Sequence, residues 1–196
     1  MKKMLFSLPI AAAVAMAAIP GSALANDATL DATLTATIVD TTCNMKLSGG
    51  LGDATKQTLT ITVPGAVNFY VPVTDAQAGK AASTFKIQIV ECPPSLTSLK
   101  TTIKGIPSDT LKTALANQIA EADGGAKATA LEIARSTTTT APFVINSTVD
   151  AERLVWTKTE IDKKEVSLTA TLRETKAGEM TIGQFKTVAT FEFSYE

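Results

Sequence analysis

The C-terminal end of the chain alternates strictly between two kinds of side chain. From Phe185 onward every second residue is apolar or small, and the residues between them are mostly charged or hydroxyl-bearing. A period of two is typical of a strand with one buried face. The buried face would carry Phe185, Thr187, Ala189, Phe191, Phe193 and Tyr195. Because an unpaired strand edge invites pairing with another chain, the fold must provide something that covers this last strand.

The other end of the chain has the pattern of an export signal. Lys2 and Lys3 precede the apolar run 5–19, and Ala23-Leu24-Ala25 places small residues where a signal peptidase requires them. A membrane anchor is the alternative, but the run is short for a spanning helix of about 20 residues. We therefore predict that residues 1–25 are a signal peptide. Its removal leaves 171 of the 196 residues, enough for one exported, soluble domain.

Charge and composition exclude several classes of function. The predicted mature chain has 16 basic and 19 acidic residues, a net charge of −3, which does not favour nucleic acid as a partner. The chain contains no histidine, so Ser-His-Asp and Cys-His catalytic arrangements are impossible, and no metal site or cofactor is predicted. Gly49, Gly50 and Gly52 lack the Lys-Ser/Thr that completes a phosphate-binding loop. We predict that the protein is not an enzyme.

Cys43 and Cys92 are the two cysteines of the sequence. In an exported protein that passes through an oxidising compartment, an even number of cysteines indicates a disulfide. Two buried free thiols are the alternative. We predict a single Cys43–Cys92 bridge.

The mature chain is predicted to be mostly β, because short alternating segments recur between turn signals. The predicted strands are 33–39, 57–63, 67–73, 84–92, 98–104, 128–134, 165–173 and the C-terminal strand. A turn near Lys176-Ala177-Gly178 predicts that the last two strands form a hairpin. One segment differs: residues 108–123 space Leu111, Leu115 and Ile119 four apart and end at Gly124, which predicts a short amphipathic helix. A two-layer Greek-key β-sandwich is the favoured fold, with an up-and-down barrel as the alternative.

The sequence resembles the pilin subunits assembled by the bacterial chaperone–usher pathway, in particular major rod subunits related to type 1 fimbriae. Besides the signal peptide, the resemblance is carried by Cys43 after an alternating strand and by the motif Phe85-x-Ile87-x-Ile89-x-x-Cys92. The C-terminal sequence Ala189-Thr190-Phe191-x-Phe193-x-Tyr195-Glu196, with its penultimate tyrosine, completes it. The resemblance covers the whole chain.

The resemblance implies an all-β, incomplete immunoglobulin-like sandwich that lacks its seventh strand and is completed by a donor strand from another chain. A periplasmic chaperone first lends a strand to the groove beside the C-terminal strand. At the outer-membrane usher, the N-terminal extension of the next subunit then replaces it, a form of strand addition. The partners implied are other pilin subunits, a chaperone and an usher. The location implied is a fimbrium on the bacterial surface.

Residues 26–34 are the predicted donor extension, and 35–196 the predicted pilin domain. Ala28, Leu30, Ala32 and Leu34 alternate with polar residues and would enter a groove, whereas the alternative is a frayed tail or the start of the first domain strand. Donor segments of the family commonly contain a glycine, and this segment has none, so the donor register stays open. By the resemblance, Phe191, Phe193, Tyr195 and Glu196 belong to the strand that pairs with the chaperone.

The predicted function is that of a structural fimbrial subunit that polymerises by donor-strand exchange into an adhesive surface fibre. A single-domain adhesive subunit with a host receptor is one alternative, with Tyr70 and Trp156 as candidate binding aromatics. Two-domain tip adhesins carry an additional lectin domain, for which 171 residues leave no room. A minor or terminating subunit, whose groove no donor enters, is another alternative.

Overall fold

The computed structural model describes residues 30–37, 43–63, 70–94 and 96–195, and for 30–37 it describes the backbone. The predictions made for the signal peptide, for Ala28 and for Glu196 lie outside the described residues. No helix within the described ranges is long and apolar enough to cross a membrane.

Short strands make up most of the described structure. The strands are β1 (Leu30–Thr37), β2 (Asn44–Ser48), β3 (Leu51–Gly52), β4 (Lys56–Thr60), β5 (Ala82–Glu91), β6 (Leu99–Lys104), β7 (Ala114–Ala116), β8 (Thr129–Arg135), β9 (Leu154–Val155), β10 (Glu165–Glu174) and β11 (Phe185–Tyr195). The helices are α1 (Val73–Gln77), α2 (Lys158–Asp162) and a 3₁₀ helix at Glu121–Asp123. The expected all-β character is confirmed.

The strands form two sheets. The first sheet has the order β3-β4-β1-β11-β6-β9, and the second has the order β2-β5-β10-β8-β7. Consecutive strands often lie in different sheets, so most neighbours within a sheet are distant in sequence, as in a Greek-key sandwich. Every pairing between these strands is antiparallel except that of β1 with β11.

The core lies between the two sheets. On β5, Phe85, Ile87 and Ile89 are buried while Thr84, Lys86 and Val90 are exposed, as the sequence alternation predicts. The rings of Phe85 in the second sheet and Phe191 in the first have centroids 5.7 Å apart. Trp156 is also buried, and its indole Nε1 donates a hydrogen bond to the Thr101 hydroxyl at 2.9 Å. The inward faces of both sheets therefore share one apolar interior.

The predicted helix at 108–123 is wrong. Ala114–Ala116 forms β7, which pairs with β8 through Leu115↔Leu131, and the 3₁₀ helix ends at Gly124 in the left-handed conformation (φ 85°). Leucines four residues apart are compatible with a helix, but Leu115 is buried by its strand partner instead. Tertiary pairing overrides local propensity here.

The predicted hairpin between 165–173 and the C-terminal strand is also wrong. β10 pairs with β5 and β8 in the second sheet, whereas β11 pairs with β1 and β6 in the first. The chain crosses between the sheets after Glu174 instead of turning back. The predicted strand at 67–73 falls partly outside the described residues, and its last residue, Val73, begins α1.

The predicted disulfide is confirmed. Cys43 and Cys92 are bonded across a sequence separation of 49 residues, with 4.2 Å between their Cα atoms. The bridge joins the residue before β2 to the residue after β5, the two strands that form one edge of the second sheet. It therefore fixes the point at which the chain leaves β1 and enters the second sheet.

Replacing both cysteines with alanine is expected to lower the free energy of unfolding by about 4 kcal/mol, because the bridge restricts a long loop of the unfolded chain. Urea unfolding of oxidised protein measures the effect. Added reductant should destabilise the natural chain by a similar amount and leave the double variant unchanged. An equal response of both proteins to reductant would contradict this account.

α2 is held against β8 by an ion pair. Glu160 accepts hydrogen bonds from Arg135 at 2.8 and 3.1 Å, and it closes a capping box with Thr157. Burial by itself raises the pKa of Glu160, but the hydrogen bonds from Arg135 and from the Thr157 backbone outweigh it and hold the pKa below its ordinary value.

Because the folded-state pKa is lowered, the stability from this carboxylate is present above the ordinary glutamate pKa of about 4.3 and is lost as the pH falls through the folded-state value. Glu160→Gln is therefore expected to unfold at lower urea than the natural chain at pH 7, with the difference shrinking below pH 4. Urea titrations at both pH values measure this. A difference that is the same at both would contradict the role of the charge.

Candidate functional site: the strand position between β4 and β11

The first sheet contains a strand position filled by the leading segment of the chain. β1 pairs with β11 in parallel from Leu30↔Phe185 to Thr37↔Glu192, and with β4 in antiparallel fashion from Asp31↔Thr60 to Thr35↔Lys56. β4 and β11 are not neighbours in the sheet. We call this position the slot. Its occupant joins the two halves of the first sheet.

The inward walls of the slot are mostly apolar. The inward residues of β11 are at most 4 % exposed through Phe193, and Leu59 supplies an equally buried side chain on β4. These inward residues are Phe185, Thr187, Ala189, Phe191 and Phe193 on β11, with Gln57 and Leu59 on β4. The alternating residues at the C-terminus therefore form one wall of the slot. Their observed burial pattern agrees with the inward face that the sequence predicts.

The β4 side is fixed by a tight hairpin. Gly50 donates its backbone N–H to Gln57 Oε1 at 2.8 Å, and Gln57 Nε2 donates to the Asp53 carbonyl at 2.6 Å. A Cβ on Gly50 would lie 2.5 Å from the Thr58 carbonyl oxygen, so this position requires glycine. Gly50 therefore serves the geometry of this hairpin.

The start of β11 is fixed by Asn117. Its Nδ2 donates to the carbonyls of Gln184 and Ala126 at 2.8 and 3.1 Å, and its Oδ1 accepts the backbone N–H of Lys186 at 3.0 Å. Sequence reasoning missed this residue because it placed Asn117 inside a helix. Together with β6, which pairs with β11 from Lys104 to Leu99, Asn117 holds the β11 wall independently of the slot's occupant.

The structure brings most of the predicted site residues to this slot. Leu30, Ala32 and Leu34 are in register with Phe185, Thr187 and Ala189. Phe191 and Phe193 are buried, and Tyr195 packs partly buried against the core. The roles predicted for these residues, donation of a strand and pairing with a chaperone, stay predictions. β1 extends to Thr37, three residues past Leu34, where the predicted donor extension ends.

The candidate binding aromatics are in different environments. Trp156 is 4 % exposed and belongs to the core, so it offers no platform for a glycan. Tyr70 is 52 % exposed and lines a shallow hollow with Val71, Met180 and Ile182. Within the described ranges no cluster of acidic or cysteine side chains has the arrangement of a metal site.

Comparison with known proteins identifies a family for this chain. Residues 32–196 match the family described as fimbrial protein. The chain belongs to the fimbrial protein family. The uncharacterized fimbrial-like protein YadM of Escherichia coli (strain K12) is 28 % identical over 164 residues, which is 82 % of this chain and 83 % of YadM. The P pilus rod subunit PapA aligns over 82 % of this chain and 96 % of its own, with 19 % identity and a TM-score of 0.47.

Family membership makes this chain a structural subunit rather than an enzyme, as predicted. A fimbrial subunit acts by joining with other subunits into a surface fibre. The slot is the part of the first sheet whose occupant pairs with strands on both sides.

Phe191→Ala is expected to lower the free energy of unfolding by about 3–5 kcal/mol, because it removes a fully buried ring from the β11 wall. Ser194→Ala, on the exposed face of the same strand, is the control and is expected to change stability by less than about 0.5 kcal/mol. Urea unfolding compares them. Equal effects of the two variants would contradict the assigned inward face of β11.

Proposed function

We propose that this fimbrial subunit polymerises by donor-strand exchange, in which the leading segment of one copy occupies the slot of another. The observation that supports this is the position of β1. It is a separate leading strand between two walls that do not pair with each other, so a second strand of similar sequence could take its place.

The frame of the slot does not depend on which molecule supplies the strand. Gln57 braces the β4 side, Asn117 and β6 brace β11, and the disulfide holds the second sheet beneath them. Residues 38–42 are the connection between β1 and the cysteine at 43. The leading strand is therefore joined to the strands that follow it through this connection.

The direction of β1 supports exchange on energetic grounds. β1 pairs in parallel with β11 over eight residues and antiparallel with β4 over five, and parallel pairs are slightly less stable per residue than antiparallel ones. The chain's own segment is connected to Cys43 through residues 38–42, and this connection restricts the direction in which the segment lies in the slot. A segment from another copy has no such tether and is free to lie in the reverse direction, in which the longer pairing becomes antiparallel and the shorter one parallel.

We further propose that a periplasmic chaperone and an outer-membrane usher deliver the subunit after removal of residues 1–25. An apolar slot that is open before assembly would attract other edges, so a protein that occupies it during export is required. Because the slot accepts a strand of this chain, we favour a polymerising subunit over a terminating one.

Pairing geometry supplies a matched test. Position 34 lies in the row between the buried residues Gln57 and Ala189, whereas position 33 lies between the partly exposed Thr58 and Val188. Leu34→Asp places a charge on the inward row and is expected to prevent donation, since burying an unpaired charge is very unfavourable. Thr33→Asp places the same charge on the outward row and is expected to leave donation intact.

Fibres are isolated from cells that express each variant, and their resistance to SDS before and after strong heating is measured. The natural chain and Thr33→Asp should give SDS-resistant polymers that separate into single subunits on heating. Leu34→Asp and a chain lacking 26–34 should remain bound to the chaperone and form no polymer. Normal polymerisation of the deletion variant would show that donor-strand exchange is not the mechanism.

A further inference from the structure

Thr187 is a polar exception on the inward face of β11. It is 1 % exposed and lies between Phe185 and Ala189, which are also buried. Its hydroxyl has no hydrogen-bond partner. A hydroxyl that leaves water without gaining a partner lowers stability, so its presence at this position requires an explanation.

Several other buried polar side chains of the domain have partners. The Thr101 hydroxyl accepts a hydrogen bond from Trp156, the Thr129 hydroxyl donates to the Lys127 carbonyl at 2.9 Å, and both ends of the Gln57 amide are bonded. The sheets thus satisfy buried polar groups where their own residues permit it. Thr187 differs because it faces a position that the frame does not fill.

Thr187 belongs to a row of three residues that lie side by side across the slot, one on each of β11, β1 and β4. β1 residue 32 is in register with Thr187 on one side and with Leu59 on the other, and both flanking side chains are buried. Leu59 offers no polar atom. A partner for the hydroxyl must therefore come from the strand that occupies the slot.

The chain's own segment does not provide that partner. Position 32 is alanine, and the residues that alternate with it, Ala28, Leu30, Leu34 and Ala36, are also apolar. Sliding the segment by two residues brings another apolar side chain to the row. Sliding the segment by one residue exchanges its inward and outward faces, so that Asp31 and the threonines would face inward.

We propose that Thr187 is a specificity-determining residue of the slot. It selects an inserted strand that carries a serine or threonine at the row of Leu59, because cross-strand hydroxyls can hydrogen-bond to each other. The strand that satisfies Thr187 therefore differs in sequence from residues 28–36 and belongs to a different protein, whereas the leading segment of another copy occupies the slot without this hydrogen bond. The inference rests on the proposed function, in which the slot receives strands from other molecules.

A double-mutant cycle in the full mature chain tests the pairing of position 32 with Thr187. The variants are Ala32→Ser, Thr187→Val and both together, compared by urea midpoint and by hydrogen exchange of β1. Thr187→Val should raise the midpoint, because it keeps the shape and removes the unpaired hydroxyl. Ala32→Ser should maintain or raise the midpoint with Thr187 present and lower it in the Thr187→Val background.

Ala36→Ser is the matched control, since Ala36 is in register with Phe191 and has no hydroxyl opposite it. It should lower the midpoint equally in both backgrounds. If Ala32→Ser also has the same effect in both, the assignment of Thr187 is overturned.

A second measurement follows strands added in trans. Synthetic peptides of residues 26–37, each with serine at one of positions 28, 30, 32, 34 or 36, are added to the full mature chain, in which they compete with β1 for the slot. One of these peptides should dissociate about fivefold more slowly than the unmodified peptide, the factor expected for one hydrogen bond, and lose that advantage with Thr187→Val. Binding without any such preference overturns the specificity role. Failure of every peptide to bind instead contradicts the proposed function, while the intramolecular cycle still decides whether position 32 and Thr187 are coupled.

Discussion

The fold depends on a strand that pairs with β4 on one side and with β11 on the other. Those two strands have no other neighbour on their facing edges, so the occupant of the slot supplies the hydrogen bonds that unite the first sheet. The same occupant lies over Phe185, Phe191 and Leu59, which are buried in its presence. Backbone pairing and core burial are thus provided together by one segment, and neither is completed without it.

The rest of the domain forms a frame that holds β4 and β11, the two walls of the slot, in position. Its braces come from distant parts of the sequence: the Gln57 amide closes the β3–β4 hairpin, and the Asn117 amide ties the segment after β7 to the start of β11. The Cys43–Cys92 bridge fixes the second sheet close to the point where β1 is connected. Rigidity in the frame and a simple attachment of the strand are complementary properties, because a strand can be exchanged only if the structure around it persists.

Local sequence patterns were sufficient to predict some elements and insufficient for others. Alternation located β5 and β11, each buried on one face, and β10, whose middle is buried on both faces, and the cysteine count predicted the bridge. The same patterns placed a helix at 108–123 and paired β10 with β11, because leucine spacing and turn residues carry no information about which sheet a strand joins. The capping-box sequence Thr157-x-x-Glu160 could have identified α2. Thr187 could not have been singled out, since alternation counts a threonine as an acceptable small residue on either face.

The way β1 fits the slot is consistent with a strand that is held and then released. An occupant that satisfied every group in the slot would leave little free energy to drive its replacement, because a competing strand displaces it only through a difference in affinity. Here the longer of the two pairings of β1 is the parallel one and the Thr187 hydroxyl is unpaired; both features weaken the intramolecular arrangement, and neither disturbs the frame. These two imperfections lie at the contact that an exchange reaction would remake. The free energy for assembly can therefore come from improving this one strand position, while the rest of the sandwich stays as it is.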